Sequence, residues 1–277
     1  MPRQNAEPVA GTYEIDTGSC ELHPDPVAGG WLLTINGAQS SHIDPDHPLD
    51  LEFEYMRQMA AVIADIFGED ARPLGTDPLD ADLRVLHLGA AACALPRYLA
   101  HRFPSARQVA VEVDSALATL VRDWFDLPRA PRLRIRVGDA REVVESLTDS
   151  SRDVIVRDAF AGSFTPDHLT TTGFVRAVRR VLRSDGVYLA NCGDTRDLRR
   201  VRAEAATIRE VFGHLSLIAD PSMLKGRRTG NVVLVGTDRA WEPSAALART
   251  LLGDPLPSRV VSGRAAAEFA SAAPILD

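Results

Sequence analysis

Three carboxylates closing successive apolar runs carry the first chemical signal in this sequence: Glu112 after VAV, Asp139 after RIRVG and Asp158 after VIVR. Carboxylates so placed can accept hydrogen bonds from ribose hydroxyls or an adenine amino group. Beside a cationic amine, such a group can instead attract the cation and take its proton. Roughly twenty residues before Glu112 lies a turn of small residues, Gly89, Ala90, Ala91, Ala92, Cys93 and Ala94. With so few side chains, the backbone can come close to a ligand. An acid at the tip of the following strand then points to a nucleoside.

These residues need a scaffold, and the chain around them supplies its pattern. Val85 to Leu88 reads as a strand, followed by the turn, a helix, and a second strand ending in Glu112 and Asp114. RLRIRVGDA and RDVIVRDAF read as a third and fourth strand. In an open parallel sheet all three acids share one carboxyl edge, where ligands of such folds bind. Aligned on Gly89, the turn has the form G-x-A-x-x-A, so a dinucleotide, a sulfonium nucleoside and a ligand-free turn packed with alanines are all compatible with it alone.

The order VLHLG(AAACA)LPRYL, VAVEVD, RIRVGDAREVV, RDVIVRDAF and GFVRAVRRVLRSDGVYLANC resembles the spermidine synthase family, aminopropyltransferases on the S-adenosylmethionine-dependent methyltransferase fold. The resemblance runs from about Gly11 to Thr237. It implies an α/β, Rossmann-like fold: a seven-stranded, mostly parallel sheet whose last strand is antiparallel, with a small N-terminal antiparallel β-domain. It implies that Glu112 holds the ribose hydroxyls with Val113 beside the adenine, and that Asp139 reads the adenine amino group with Ala140 next to it. Gly89 and Ala90 lie against the nucleoside, Gln39 contacts it from the N-terminal domain, and Tyr55 falls near a family tyrosine. Asp158 is the base for the attacking amine. The implied co-substrate is decarboxylated S-adenosylmethionine, or S-adenosylmethionine itself, with no tightly bound cofactor. A diamine such as putrescine is the implied acceptor, and a homodimer the implied assembly. Read from its residues alone, Gln39 is equally an ordinary strand residue after a turn, and the alternative to a functional Asp158 is a capping or turn aspartate at a strand end.

The sequence also departs from the family. The turn position that carries an acid for the amino end of the aminopropyl donor is Ala92. Ala159, Phe160, Ala161, Gly162 and Ser163 follow Asp158 where a second acid is expected, and Met56 follows Tyr55 where a histidine is expected. Three readings stay open: aminopropyl transfer to a diamine, methyl transfer from S-adenosylmethionine on the same fold, and a non-catalytic nucleoside-binding homologue.

The 277 residues suffice for one α/β domain plus a small appendage, and too few remain for a dehydrogenase's second βαβ half and substrate domain. The formal net charge of −7 argues against a nucleic-acid partner and suits a cationic substrate. Cys20, Cys93 and Cys192 are far apart and without metal-ligand spacing, so no metal site is expected and a reducing, cytoplasmic setting is. No long apolar run suggests a membrane span. The expected organisation is a disordered N-terminus (1–10), a β-domain (11–48), a Rossmann-like nucleoside-binding domain (49–240) and a C-terminal helical extension (241–277). The segment after Asp158, AFAGSFTPDHLTTTGF, reads as a lid, with His168 an exposed loop histidine or a substrate contact. The arginines from Arg196 to Arg209 alternate with acids and lack stacking aromatics, which marks a solvated helix face.

Overall fold

The computed structural model describes residues 8–68 and 82–277. The disorder expected over residues 1–10 and the loop expected from Gly68 to Asp82 therefore fall largely outside the described residues. Four strands, β1 (Gly11–Ile15), β2 (Gly18–Pro24), β3 (Trp31–Ile35) and β4 (Ala38–Ile43), form an antiparallel meander in chain order. The β3–β4 turn is Asn36-Gly37, both at positive φ (48° and 81°), the geometry that suits a two-residue hairpin.

The first helix is α1 (Glu54–Phe67), and ahead of it the Asp50 amide closes a turn onto the His47 carbonyl. The main sheet then alternates with helices: β5 (Arg84–Leu88), α2 (Ala94–Arg102), β6 (Arg107–Glu112), α3 (Ser115–Trp124), β7 (Arg134–Val137), α4 (Ala140–Glu145), β8 (Arg152–Arg157), α5 (Thr172–Val181), β9 (Leu182–Asp194), α6 (Arg199–Val211), β10 (His214–Ala219), α7 (Pro221–Leu224) and β11 (Gly230–Thr237). With β12 (Arg259–Val261) included, its order is β12-β10-β11-β9-β8-β5-β6-β7, with β5 to β9 mutually parallel, β11 antiparallel to both neighbours and β12 antiparallel to β10. The C-terminal segment supplies α8 (Ala245–Gly253) and α9 (Gly263–Phe269), and between them β12 (Arg259–Val261) adds an eighth strand beside β10. Three residues are too short to show alternation in a sequence, and only the open edge of β10 makes them a strand.

Period-two alternation sorts the sheet residues into two cores. Val85, Val154, Val156, Val187 and Val233 pack under α1, α2 and α8, while Leu86, Leu88, Ile155, Tyr188 and Leu234 pack under α4, α5, α6 and α9. Helix starts are capped by acids and hydroxyls: Asp114 Oδ1 accepts from the Leu117 amide at 2.8 Å, and the Thr171 hydroxyl accepts from the Phe174 amide. A third core joins β1–β4 to α3 and the small-residue turn. Asp114 Oδ2 reinforces that junction by accepting from the amide and hydroxyl of Thr17 at 2.7 and 2.8 Å. Asp16 reciprocates by accepting from the Ser115 amide at 2.7 Å. The tips of the β1–β2 and β3–β4 hairpins are thereby held over the carboxyl edge of the main sheet.

Candidate active site

A cavity of about 560 Å³ lies between those hairpins, α1 and the strand ends. Sheet order sets its layout. Asp139 follows β7, Glu112 ends β6, Gly89 follows β5, Asp158 follows β8, Asn191 and Gly193 lie in β9, and Asn231 lies in β11. Neighbouring strands stand about 4.8 Å apart, so these residues form a row with Asp158 near its middle. Gln39, Gly89, Ala90, Glu112, Val113, Asp139, Ala140 and Asp158 all line this one cavity, Gln39 from an exposed position on β4.

The small-residue turn is strained and tight. Gly89 has φ +97°, and a Cβ there would lie 2.2 Å from the Asp158 carbonyl oxygen, so only glycine fits between β5 and the chain after β8. Ala91 and Cys93 also take positive φ, of 40° and 60°. The turn's amides aim at Glu112, whose Oε2 accepts from Ala91 at 3.1 Å and Ala90 at 3.3 Å, while Oε1 accepts from the Asp114 amide at 3.1 Å. Burial raises the Glu112 pKa above the ordinary carboxylate value, with these amides acting against it. Oε1, with a single donor, keeps a lone pair for a ligand hydroxyl.

Asp139 does two jobs. Its Oδ1 caps α4, accepting from the Arg141 and Glu142 amides at 2.8 and 3.1 Å, and its Oδ2 pairs with His168 Nε2 at 2.9 Å. Burial disfavours its charge, but the Glu142 amide and His168 outweigh this and hold the carboxyl below its usual pKa. His168 is therefore a cavity residue, half-exposed and bound to Asp139. Its signal in the sequence was only its place in the segment after Asp158. That segment is ordered by an Ala161–Phe164 bridge and a 3-10 turn (Asp167–Leu169).

Asp158 opens to the cavity and is otherwise enclosed. Asn191 Nδ2 donates to its Oδ1 at 2.9 Å, and the Tyr55 hydroxyl donates to the same carboxylate. Burial raises the Asp158 pKa, opposed by those two hydrogen bonds and by the charge of Arg157. Tyr55 is itself pushed well above the usual phenol value by burial and by Asp158, so it stays a neutral donor. Arg157, fully buried behind Asp158, pairs with Glu204 at 2.6 Å and donates to the carbonyls of Leu169 (3.1 Å) and Asn191 (3.0 Å). Although burial disfavours its charge, Glu204 outweighs this and keeps Arg157 protonated. One buried cation thus ties together the segment carrying His168, the strand carrying Asn191, and α6.

Sequence reasoning named neither Asn191 nor Asn231. Each is a polar residue at the cavity end of an apolar strand run, VYLANC and NVVLV, which was the available signal. Ala92 is fully buried in the apolar cluster joining the turn to the N-terminal sheet. Among the described residues, no helix is long and apolar enough to cross a membrane.

A mostly parallel sheet with two reversed strands, β11 and β12, and a row of acids along its carboxyl edge, define an α/β fold of the S-adenosylmethionine-dependent methyltransferase type. The crystal structure of a probable spermidine synthase from Corynebacterium glutamicum is 47% identical, with a TM-score of 0.89 over 98% of this chain and 97% of that one. The chain belongs to the spermidine synthase, or polyamine aminopropyltransferase, family. A polyamine aminopropyltransferase from Vibrio vulnificus is 33% identical over 132 residues, 47% of this chain and 44% of that protein. Across the curated aminopropyltransferases it matches, the chain spans about half their length. A spermidine synthase in complex with the transition-state analogue AdoDATO shares the fold at 18% identity, with a TM-score of 0.60 over 89% of this chain and 78% of that one. No family model matches the sequence.

Proposed function

We propose that this protein transfers the aminopropyl group of decarboxylated S-adenosylmethionine to a primary amine, putrescine being the family's reference acceptor, with Asp158 as the base. The observation that carries this reading is the environment of Asp158. One carboxylate stands mid-row between the nucleoside-type half of the cavity and its other half, fixed by Asn191 and Tyr55, with burial raising its pKa. An amine reaches it as an ammonium, since its solution pKa is near 10. The amine loses its proton to Asp158, and its lone pair attacks the methylene next to the sulfonium. The C–S bond breaks onto sulfur, leaving neutral methylthioadenosine. A raised carboxyl pKa makes Asp158 a better proton acceptor, and alignment of the partners contributes roughly 7–11 kcal/mol to lowering the barrier.

Glu112 and the turn residues Gly89 and Ala90 hold the ribose, Asp139 and Ala140 meet the adenine beside Val113, and Gln39 closes over the nucleoside from β4. The test is release of methylthioadenosine from the decarboxylated donor when an amine is supplied; turnover of S-adenosylmethionine alone defeats the proposal. Methyl transfer is the second reading, and the apolar burial of Ala92 favours it, because no carboxylate stands there to hold the donor's ammonium.

A further inference from the structure

Arg141 links the adenine end of the cavity to a part of the chain outside it. Asp139 Oδ1 accepts from its amide at 2.8 Å, its Nη1 donates to the His168 carbonyl at 3.3 Å, and the His168 ring returns to Asp139 Oδ2 at 2.9 Å. Asp139 and His168 line the cavity, and Arg141 does not. A planar guanidinium fixes one partner better when its other donors are held as well. Nε is taken by Glu145 at 2.9 Å, one turn along α4, and Nη2 by Asp277 Oδ1 at 3.0 Å, on the segment after α9. The Asp277 side chain is about half-exposed, and an ion pair so exposed contributes little by itself. Its carboxylate has further partners at the start of α5: Oδ1 also accepts from the Thr171 hydroxyl, and Oδ2 from the Gly173 amide, both at 2.8 Å. Beside it the Ile275 carbonyl accepts from the Thr172 amide, and the Ile275 amide donates to the Thr207 hydroxyl of α6, again at 2.8 Å.

We infer that Asp277 is a positioning residue for the adenine end of the cavity: it holds Arg141, Arg141 holds the backbone of His168, and His168 fixes the Asp139 carboxylate. This rests on the nucleoside half of the reading above and adds to it a residue that does not touch the ligand. Without Asp277, the guanidinium follows Glu145 alone and the His168 carbonyl loses a fixed donor. The partner of Asp139 Oδ2 is then free to move. Groups that ligand binding must order for itself cost affinity.

Gly173→Ala separates this role from a merely structural one. A Cβ there would lie 2.2 Å from Asp277 Oδ2 and 2.5 Å from Oδ1, so the carboxylate is pushed away, while the new side chain sits in a helix, where alanine is favoured over glycine. Calorimetry with methylthioadenosine is expected to show roughly 3- to 10-fold weaker binding for both Gly173→Ala and Asp277→Ala, with the melting temperature of Gly173→Ala unchanged or raised. In a His168→Ala background neither substitution is expected to add a further loss, because the route to Asp139 is already cut. Unchanged affinity in either variant, or a loss that persists in full when His168 is alanine, overturns the inference and leaves the nucleoside reading standing. No binding of methylthioadenosine by the unaltered protein defeats that reading and the inference with it.

Discussion

Replacing Gly89 by alanine separates the role of this position in the site from its role in the fold. The added carbon would sit 2.2 Å from the Asp158 carbonyl oxygen and 2.7 Å from its carbonyl carbon, where ordinary contact begins near 3.4 Å. The backbone at Asp158 must therefore retreat by ~1.2 Å. Displacement of a reacting group by about 1 Å is worth on the order of 100-fold in rate. The left-handed φ of +97° adds roughly 1–2 kcal/mol of strain, which a protein of this size survives. Gly263 is the comparison: it has φ +58° with open space around its Cβ position and lies at the start of α9, outside the cavity. Gly263→Ala is expected to lower the melting temperature by a few degrees and keep turnover, while Gly89→Ala loses about 100-fold in kcat/KM with its circular dichroism intact. Both are read by methylthioadenosine release alongside thermal unfolding. Unchanged kcat/KM in Gly89→Ala refutes the argument that close approach of this turn positions Asp158.

Asp158→Asn is expected to lower turnover by about 10² to 10⁴ while nucleoside affinity, followed by calorimetry, stays within a few fold. The same change should stabilise the fold at neutral pH. A carboxyl whose folded pKa is raised loses stability as pH climbs from the ordinary carboxylate value through the raised one, and asparagine lacks that loss. Glu112→Ala should weaken nucleoside binding by roughly 10- to 100-fold through lost charge-assisted hydrogen bonds, and an unaltered affinity would remove Glu112 from the ribose site. Glu204→Gln strands the buried Arg157 charge and should cost about 3–5 kcal/mol in urea unfolding; a change below 1 kcal/mol would show the pair to be dispensable. His87 is fully buried against Gln108, and burial lowers its pKa to about 4. Its contribution to stability is complete above pH 6.5 and falls by about 3 kcal/mol as pH drops to 4, which unfolding of a His87→Gln variant at both pH values would check.

Much of the scaffold was legible because strands and helices leave local periodic traces. The run from Val85 to Leu88, the acids after the following strands and the Asn36-Gly37 turn each express a rule spanning a few residues. The shared edge of the three acids followed from parallel pairing, which short-range alternation with intervening helices already implies. Asn191 and Asn231 escaped notice because a single asparagine in an apolar run has no periodic partner.

The order of its elements and the acids that end its strands are written locally in this sequence, because backbone propensity and side-chain alternation act over a few residues. Which groups meet is settled only by packing. His168 reaches Asp139 across 29 positions and Asn191 reaches Asp158 across 33, and Tyr55 comes from a helix on the far side of the nucleotide-type turn. Each of these contacts lowers the pKa of the acid it meets, yet Asp139 ends below and Asp158 above the usual carboxylate value, because burial outweighs the hydrogen bonds at Asp158 and not at Asp139, and burial depends on a carboxylate's three-dimensional surroundings rather than on its neighbours in the chain.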